Sequence, residues 1–321
     1  MSTPQNAPQQ APQHAPVMII GSGPAGCTAA LYAARAGLKP MLIRGMQPGG
    51  QLTITTDVEN YPGFVQPIQG PWLMEQMEAQ AAHHGTTLIT DHISKVDFTG
   101  PRHLAYGDSG QVYSADAVII STGASAKWLG LPSEKAFSGR GVSACATCDG
   151  AFFRNQDVAV IGGGNSALEE ALYLANLCRS VTLIHRRDKF RGEKVMQDRA
   201  LNHPKISVRW NSEVDEFLGG PMGLEKIRLK HPDGTTSELV VTGAFIAIGH
   251  KPNTDIFADW LSRDETGYLV LPKGSVTTTI PGVFAAGDVA DSIYRQAVTA
   301  AGMGCMAALD ANRYLERLQH S

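Results

Sequence analysis

The chain carries one glycine pattern twice, each time in the same setting. Gly21-Ser22-Gly23-Pro24-Ala25-Gly26 follows the apolar run Val17-Met18-Ile19-Ile20 and opens an alanine-rich stretch, Cys27 to Ala36, that ends at Gly37. Gly162-Gly163-Gly164-Asn165-Ser166-Ala167 follows Val158-Ala159-Val160-Ile161 and opens a helical pattern over 165–177. A second β-branched run comes after each helix, at Met41–Ile43 and Val181–Ile184. Strand, glycine loop, helix and strand make a βαβ unit, which demands a parallel sheet and a right-handed crossover. The first glycine of such a loop makes the tight turn. The second lets a phosphate approach the backbone, and the third position, Gly26 or Ala167, lets helix and strand pack closely. The bare pattern is weak, but its place between strand and helix makes it specific for a dinucleotide pyrophosphate at a helix N-terminus.

Two such units in one chain predict an α/β protein of two Rossmann-like dinucleotide-binding domains. Asp116–Ile120 reads as a strand leading into Ser121-Thr122-Gly123-Ala124, and Ala244–Ile248 as its counterpart leading into Gly249-His250-Lys251-Pro252. Pro281–Asp288 is another strand with a glycine turn, and a helix over 296–318 finishes the chain. The second unit is therefore expected as an insertion into the first. Residues 17–127 and 252–321 form the first domain, residues 128–251 the inserted one, and the crossings fall near 126–131 and 249–253. Residues 1–16, rich in Gln, Pro and Ala, lack the basic start and apolar stretch of a signal peptide and read as a flexible tail.

Composition narrows the class. With 43% hydrophobic residues, 18% charged residues and a formal net charge of −3, the chain can bury a sizeable core and has no basic patch for nucleic acid. No apolar run approaches the roughly 20 residues of a membrane span, so a soluble cytoplasmic protein is expected. Five cysteines are an odd count and argue against an extracellular disulfide framework.

Cys145 and Cys148 stand apart from the other three as a C-x-x-C pair. In a reducing compartment such a pair is catalytic or metal-binding more often than structural. Zinc needs about four ligands, and there is no second C-x-x-C, so no metal site is expected. Thiols at a helix start have a lowered pKa, which supplies the thiolate that disulfide exchange requires. Cys27, Cys178 and Cys305 fall in helical stretches and read as small buried hydrophobes. Asp149 follows the pair directly. It can relay a proton to a departing thiolate, and equally Asp149-Gly150 is a turn dipeptide.

The position after the second strand of each βαβ unit selects the ribose. An acidic residue is expected there, and neither unit has one. After Ile43 stands Arg44-Gly45, which leaves ribose recognition to the loop that runs on to Gln51. After Ile184 stand His185-Arg186-Arg187, with Arg191 beyond. Guanidinium groups there would hold a 2′-phosphate by bidentate hydrogen bonds, which points to NADPH over NADH; the alternative is an ordinary solvated basic face.

These residues resemble the low-molecular-weight bacterial type of thioredoxin reductase, within the class II pyridine nucleotide-disulfide oxidoreductases. The likeness runs from Val17 onward through Gly21–Gly26, Gly49-Gly50-Gln51-Leu52, Val58–Gly63, Ser121–Ala124, Cys145–Gly150, Gly162–Ala167, His185-Arg186-Arg187, Gly287-Asp288 and Arg295-Gln296-Ala297. It implies FAD on the discontinuous domain, held by Gly21, Ser22, Gly23, Gly26, Arg44, Gly45, Gly49, Gly50, Gln51, Asn60, Thr122, Gly123, Gly287, Asp288, Arg295, Gln296 and Ala297. It implies NADPH on Gly162, Gly164, Asn165, Ser166, Ala167, His185, Arg186, Arg187 and Arg191. It implies Asp149 as proton donor, a thioredoxin as disulfide substrate, and a homodimer.

The implied activity is a relay of two electrons from NADPH through FAD to the Cys145–Cys148 disulfide and on to thioredoxin. By the same resemblance Cys145 attacks the substrate, while Cys148, nearer the flavin, resolves the mixed disulfide. The thiols and the second glycine loop share the inserted domain yet must serve one flavin, so rotation about the two crossings is expected. Two rival readings are a related flavin-dependent dithiol oxidoreductase with another acceptor, and a redox sensor without catalysis. A ferredoxin-linked relative would lack the thiol pair or the arginines, and a lipoamide-type enzyme would carry its cysteines beside the first glycine loop.

Overall fold

The computed structural model describes residues 11–54 and 57–320. The chain divides into two compact units, Met1–Ser125 with Lys251–Ser321, and Ala126–His250. Seven α-helices lie among the described residues: α1 (Pro24–Arg35), α2 (Gly70–His83), α3 (Pro132–Phe137), α4 (Ala146–Asp149), α5 (Asn165–Leu177), α6 (Lys194–Leu201) and α7 (Ala297–Gln319).

In the discontinuous unit the strand Gln13–Ile20 lies between Met41–Ile43 and Val112–Ile120, parallel to both. Thr87–Ile89 extends the parallel sheet beyond Met41–Ile43. The long strand Val112–Ile120 has two partners on its other edge. Its first half pairs antiparallel with His103–Gly107, and its second half pairs parallel with Val283–Ala285. The returning chain thus completes a sheet begun by the first strand, Gln13–Ile20. Alternate residues of the central strand feed two cores: Val17 and Ile19 face one cluster, Met18 and Ile20 the other. Helices α1 and α7 close the first face through small residues. A Cβ on Gly304 of α7 would overlap the backbone carbonyl of Ala25 in α1, so the two backbones meet with no room for a side chain.

The central strand starts at Gln13, earlier than the tail boundary at residue 16 drawn from composition. The reason is the length of its neighbour, since Gln13, His14 and Ala15 continue the ladder opposite Tyr113, Ser114 and Ala115. His14 Nδ1 adds a 3.1 Å hydrogen-bonding contact to Ser114 Oγ. Residues 1–10 of the expected tail lie outside the described residues.

The continuous unit has a five-stranded, wholly parallel sheet in the order Val142–Ser143, Gly243–Ile246, Asp157–Ile161, Ser180–Ile184, Ile206–Arg209. A three-stranded antiparallel sheet, Glu213–Gly220, Gly223–Lys230 and Thr236–Val240, packs over it. The predicted strand 244–248 lies one residue earlier at its start and ends at Ile246. The connections to the other unit run side by side: Lys127 N–H donates to the Gly249 carbonyl at 2.9 Å, and Asn253 N–H to that of Gly123 at 2.9 Å.

Candidate functional site

In the discontinuous unit three parallel strands end together. Gly21 follows Ile20, Ser121 follows Ile120, and Gly287-Asp288 follow Ala285-Ala286. Backbone bonds tie the ends: Ser121 N–H donates to the Ile20 carbonyl at 2.9 Å and Ala286 N–H to the Ile120 carbonyl at 2.9 Å. The Ser121 hydroxyl donates to the Gly21 carbonyl at 2.9 Å. Such a crevice at the carboxyl ends of a parallel sheet is where open α/β folds bind ligands.

The glycine loop leaves room for a pyrophosphate. A Cβ on Gly21 would overlap the Ser121 carbonyl, and one on Gly26 would overlap the carbonyl of Gly21. Around the Cβ position of Gly23 there is open space to 4 Å. Closure behind and space in front is the arrangement that lets phosphate oxygens reach backbone N–H groups at the start of α1. Ser22 is buried, and its hydroxyl accepts the Gly49 N–H at 2.9 Å, which draws the 45–50 loop onto the first. The Gly50 Cβ position then lies 3.6 Å from Gly23 Cα.

Asn60 and Gln296, 236 residues apart, meet in the same unit, with Asn60 Nδ2 donating to Gln296 Oε1 at 3.3 Å. Gln296 also caps α7 in a box with Thr299, and Ala297 is the first residue of that helix. Arg295 adopts a left-handed backbone, φ 47°, and its N–H donates to Asp291. Burial pushes the Asp288 carboxyl up to about 6, with Asp291 adding to the shift and Arg295 opposing it. Thr122 ties the crossing, its hydroxyl donating to the Asn253 carbonyl at 2.7 Å.

Arg44 is turned to the protein. It donates to Glu78 Oε2 at 3.1 Å and Thr90 Oγ1 at 2.5 Å, while its own Nε and Glu78 Oε1 are buried without partners. The sequence offered no sign of this, because Glu78 lies on α2, 34 residues away. Gly45 follows in a left-handed turn, and Gln51 is exposed.

The second glycine loop has the same construction. A Cβ on Gly162 would overlap the Ala247 carbonyl and press on Ala167, whereas Gly164 faces open space. The segment after the next strand folds back over it: Arg191 N–H donates to the Gly163 carbonyl at 2.7 Å, and Glu193 N–H to Asn165 Oδ1 at 2.7 Å. Ser166 is the second residue of α5. Arg186, Arg187 and Arg191 are all exposed around the loop. His185 is not; it is 5% exposed, its ring lies against Gly163, and Nε2 sits 3.1 Å from the Lys189 carbonyl. Its pKa is lowered by burial, which the Lys189 carbonyl opposes. His185 therefore supports the loop from beneath.

In the same unit Cys145 and Cys148 form a disulfide across a Cα separation of 5.3 Å. Cys145 is the N-cap of α4, a single turn, and its sulfur accepts the Cys148 N–H at 3.2 Å. Thr147 Oγ1 lies 3.4 Å from the same sulfur. Ser143, two residues before the pair, accepts the Cys145 N–H at 3.0 Å, and the Asp149 N–H closes the turn on the Cys145 carbonyl at 3.1 Å. Burial raises the Asp149 pKa, and the Ser143 hydroxyl holds part of that rise back. Ser143 and Thr147 escaped the sequence reading, since only the folded turn shows which hydroxyl faces which group. Cys27 and Cys178 are buried; desolvation raises both thiols, Cys178 to about 11.

The model of the pyridine nucleotide-disulphide oxidoreductase family matches residues 15–304. A thioredoxin reductase of Rickettsia felis is 56% identical over 304 residues, 94% of this chain and 98% of that protein. A Pseudomonas fluorescens protein named glucosaminate ammonia-lyase is also 56% identical, over 95% of this chain and 97% of its own. The solved thioredoxin reductase of Streptococcus pyogenes superposes with a TM-score of 0.91 at 40% identity, covering 96% of this chain and all of that one. With two glycine loops that close onto the sheet and leave open space, a C-x-x-C disulfide and a family match over nearly its whole length, the chain belongs to the pyridine nucleotide-disulphide oxidoreductases.

Proposed function

We propose that this chain is a thioredoxin-disulfide reductase that spends NADPH to reduce the disulfide of a thioredoxin. The carrying observation is the Cys145–Cys148 disulfide on a short turn, with the Thr147 hydroxyl 3.4 Å from Cys145 Sγ, the Ser143 hydroxyl on the Cys145 N–H, and the buried Asp149 next in the chain. FAD and NADPH are the cofactors. The fit of the first glycine loop, Asp288 and the Asn60–Gln296 contact supports FAD on the discontinuous unit, with Gly21, Ser22, Gly23, Gly26, Gly49, Gly50, Thr122, Gly123, Gly287 and Arg295–Ala297 around it. The second loop and the exposed Arg186, Arg187 and Arg191 support NADPH, with the arginines on the 2′-phosphate. When bound, the two dinucleotides supply a two-electron path that opens the disulfide.

The residues of the chain do the rest. Cys145 attacks one sulfur of the external disulfide, whose bond breaks and releases a thiolate. Cys148 then attacks Cys145 Sγ, re-forming the internal bond and releasing the second thiolate. Two protons follow the two electrons, and Asp149, whose carboxyl burial raises above its ordinary value, carries one of them. The likeness to thioredoxin reductases supports a homodimer in the cytoplasm. No helix among the described residues is long and apolar enough to cross a membrane.

The relative named as an ammonia-lyase favours a second reading. Elimination of ammonia is redox-neutral and gives the thiol pair no part. A coupled assay separates the two: NADPH, thioredoxin and a disulfide dye, with native protein and with Cys148→Ser, beside ammonia release from glucosaminate. Dye reduction by the native protein alone is expected. Dye reduction that survives Cys148→Ser, or ammonia release in both, overturns the proposal.

A further inference from the structure

The Cys145–Cys148 bond joins two like atoms in unlike surroundings. Cys145 Sγ accepts the Cys148 N–H at 3.2 Å and lies 3.4 Å from Thr147 Oγ1. A disulfide sulfur carries no proton, so the second contact runs from the Thr147 hydroxyl to the sulfur. Among the described residues no hydrogen bond reaches Cys148 Sγ. We propose that Thr147 is a further catalytic group, whose hydroxyl joins the Cys148 N–H in a two-donor cradle that holds negative charge on Cys145 Sγ when the bond opens.

The physical basis is leaving-group chemistry. When two electrons enter the disulfide, the S–S bond breaks, and the sulfur better able to carry charge departs as thiolate. Donors aimed at one sulfur lower the pKa of that sulfur alone. Both donors lie two and three residues along the chain from Cys145, on the same turn, so they stay within reach after the sulfurs separate. The cradle works as an N-cap does, with sulfur in place of the usual oxygen. It needs no contribution from a helix dipole, which a four-residue helix does not provide. The same thiolate then attacks the external disulfide, and the electrons and protons balance as given above. The titratable groups on elements packed against this turn are Asp149 on the turn itself and Glu169, Glu170 and Tyr173 on α5.

The inference rests on the reductase reading, and one experiment tells their failures apart. The holoenzyme, reduced anaerobically with NADPH, is alkylated with iodoacetamide across a pH series, and Cys145 and Cys148 are followed separately by peptide mass spectrometry. Thr147→Val, which removes the hydroxyl at constant shape, is expected to move the Cys145 titration up by about one unit and slow its alkylation about tenfold on the acid side. Thr147→Ser restores the native curve, and Cys148 is unmoved throughout. Thr147→Ala gives the same reading if the valine variant does not hold flavin. Identical Cys145 titrations in native protein and the hydroxyl-free variants overturn the inference and leave the reductase reading intact. If NADPH exposes no alkylable thiol at either position, both fall.

Discussion

Asp288 shows how a single side chain trades stability for a ligand. Burial moves its carboxyl from the ordinary 3.8 to about 6. The native state therefore holds this proton more tightly than the unfolded chain. Stability of the flavin-free protein falls as pH rises from 3.8 to about 6, and the full cost, about 2–3 kcal/mol at order of magnitude, remains above that. Asp288→Asn is expected to remove the cost, so that urea midpoints of the flavin-free variant exceed the native ones at pH 8 and converge with them near pH 4. The same variant should bind FAD more weakly, which flavin fluorescence measures. Arg187 makes the opposite bargain, since it is exposed and its removal costs the fold little. Arg187→Gln should raise KM for NADPH about tenfold while leaving KM for NADH in place, because only one of the two carries a 2′-phosphate. Two other residues of the glycine-loop regions were not legible in this way. His185 sits in the arginine motif but is buried under Gly163, and Arg44 stands at the ribose position but is bound to Glu78 and Thr90. Residue type and spacing gave their position along the strand, not the direction of the side chain.

At the scale of elements, the contact between α1 and α7 carries the discontinuous unit. The strands of the first βαβ unit and the last helix are distant in sequence, and small residues on both helices let them approach: Ala29, Ala30 and Ala33 on one, Ala307, Ala308 and Ala311 on the other. Gly304→Ala should separate the pair, because the added carbon would overlap the Ala25 carbonyl and a backbone cannot swing aside as a side chain can. A loss of about 1–3 kcal/mol in urea unfolding is expected, with weaker FAD binding, since Ala25 belongs to the phosphate loop. The alanine-rich character of both helices was visible in the sequence. Their pairing was not, because helical periodicity says which face is apolar and not which helix covers it.

For the whole molecule, the two units make different demands on the chain. Residues 126–250 are continuous and carry their own sheet and core. That stretch alone is expected to unfold cooperatively, bind NADPH and close the Cys145–Cys148 bond. The other unit needs both ends, since Val283–Ala285 pairs with Val118–Ile120. Its crossings lie together, with Asn253 N–H on the Gly123 carbonyl at 2.9 Å. Replacing residues 126–250 by a short glycine-serine linker should therefore leave a yellow protein that binds FAD and no longer reduces a disulfide. A colourless product would show that the inserted unit is needed for the FAD fold.

The amino-acid sequence by itself determined the features whose physics is local. A glycine loop between strand and helix, a thiol pair two residues apart and a run of arginines after a strand each work through neighbours in the chain, so spacing alone exposes them. Only the tertiary structure decided what depends on distant partners. It placed Asn60 against Gln296, Gly304 against Ala25, and Glu78 beneath Arg44, and it began the first strand at Gln13 because a long neighbour offered a ladder. Such contacts are fixed by close packing in three dimensions, which a one-dimensional pattern constrains only through the faces it marks as apolar.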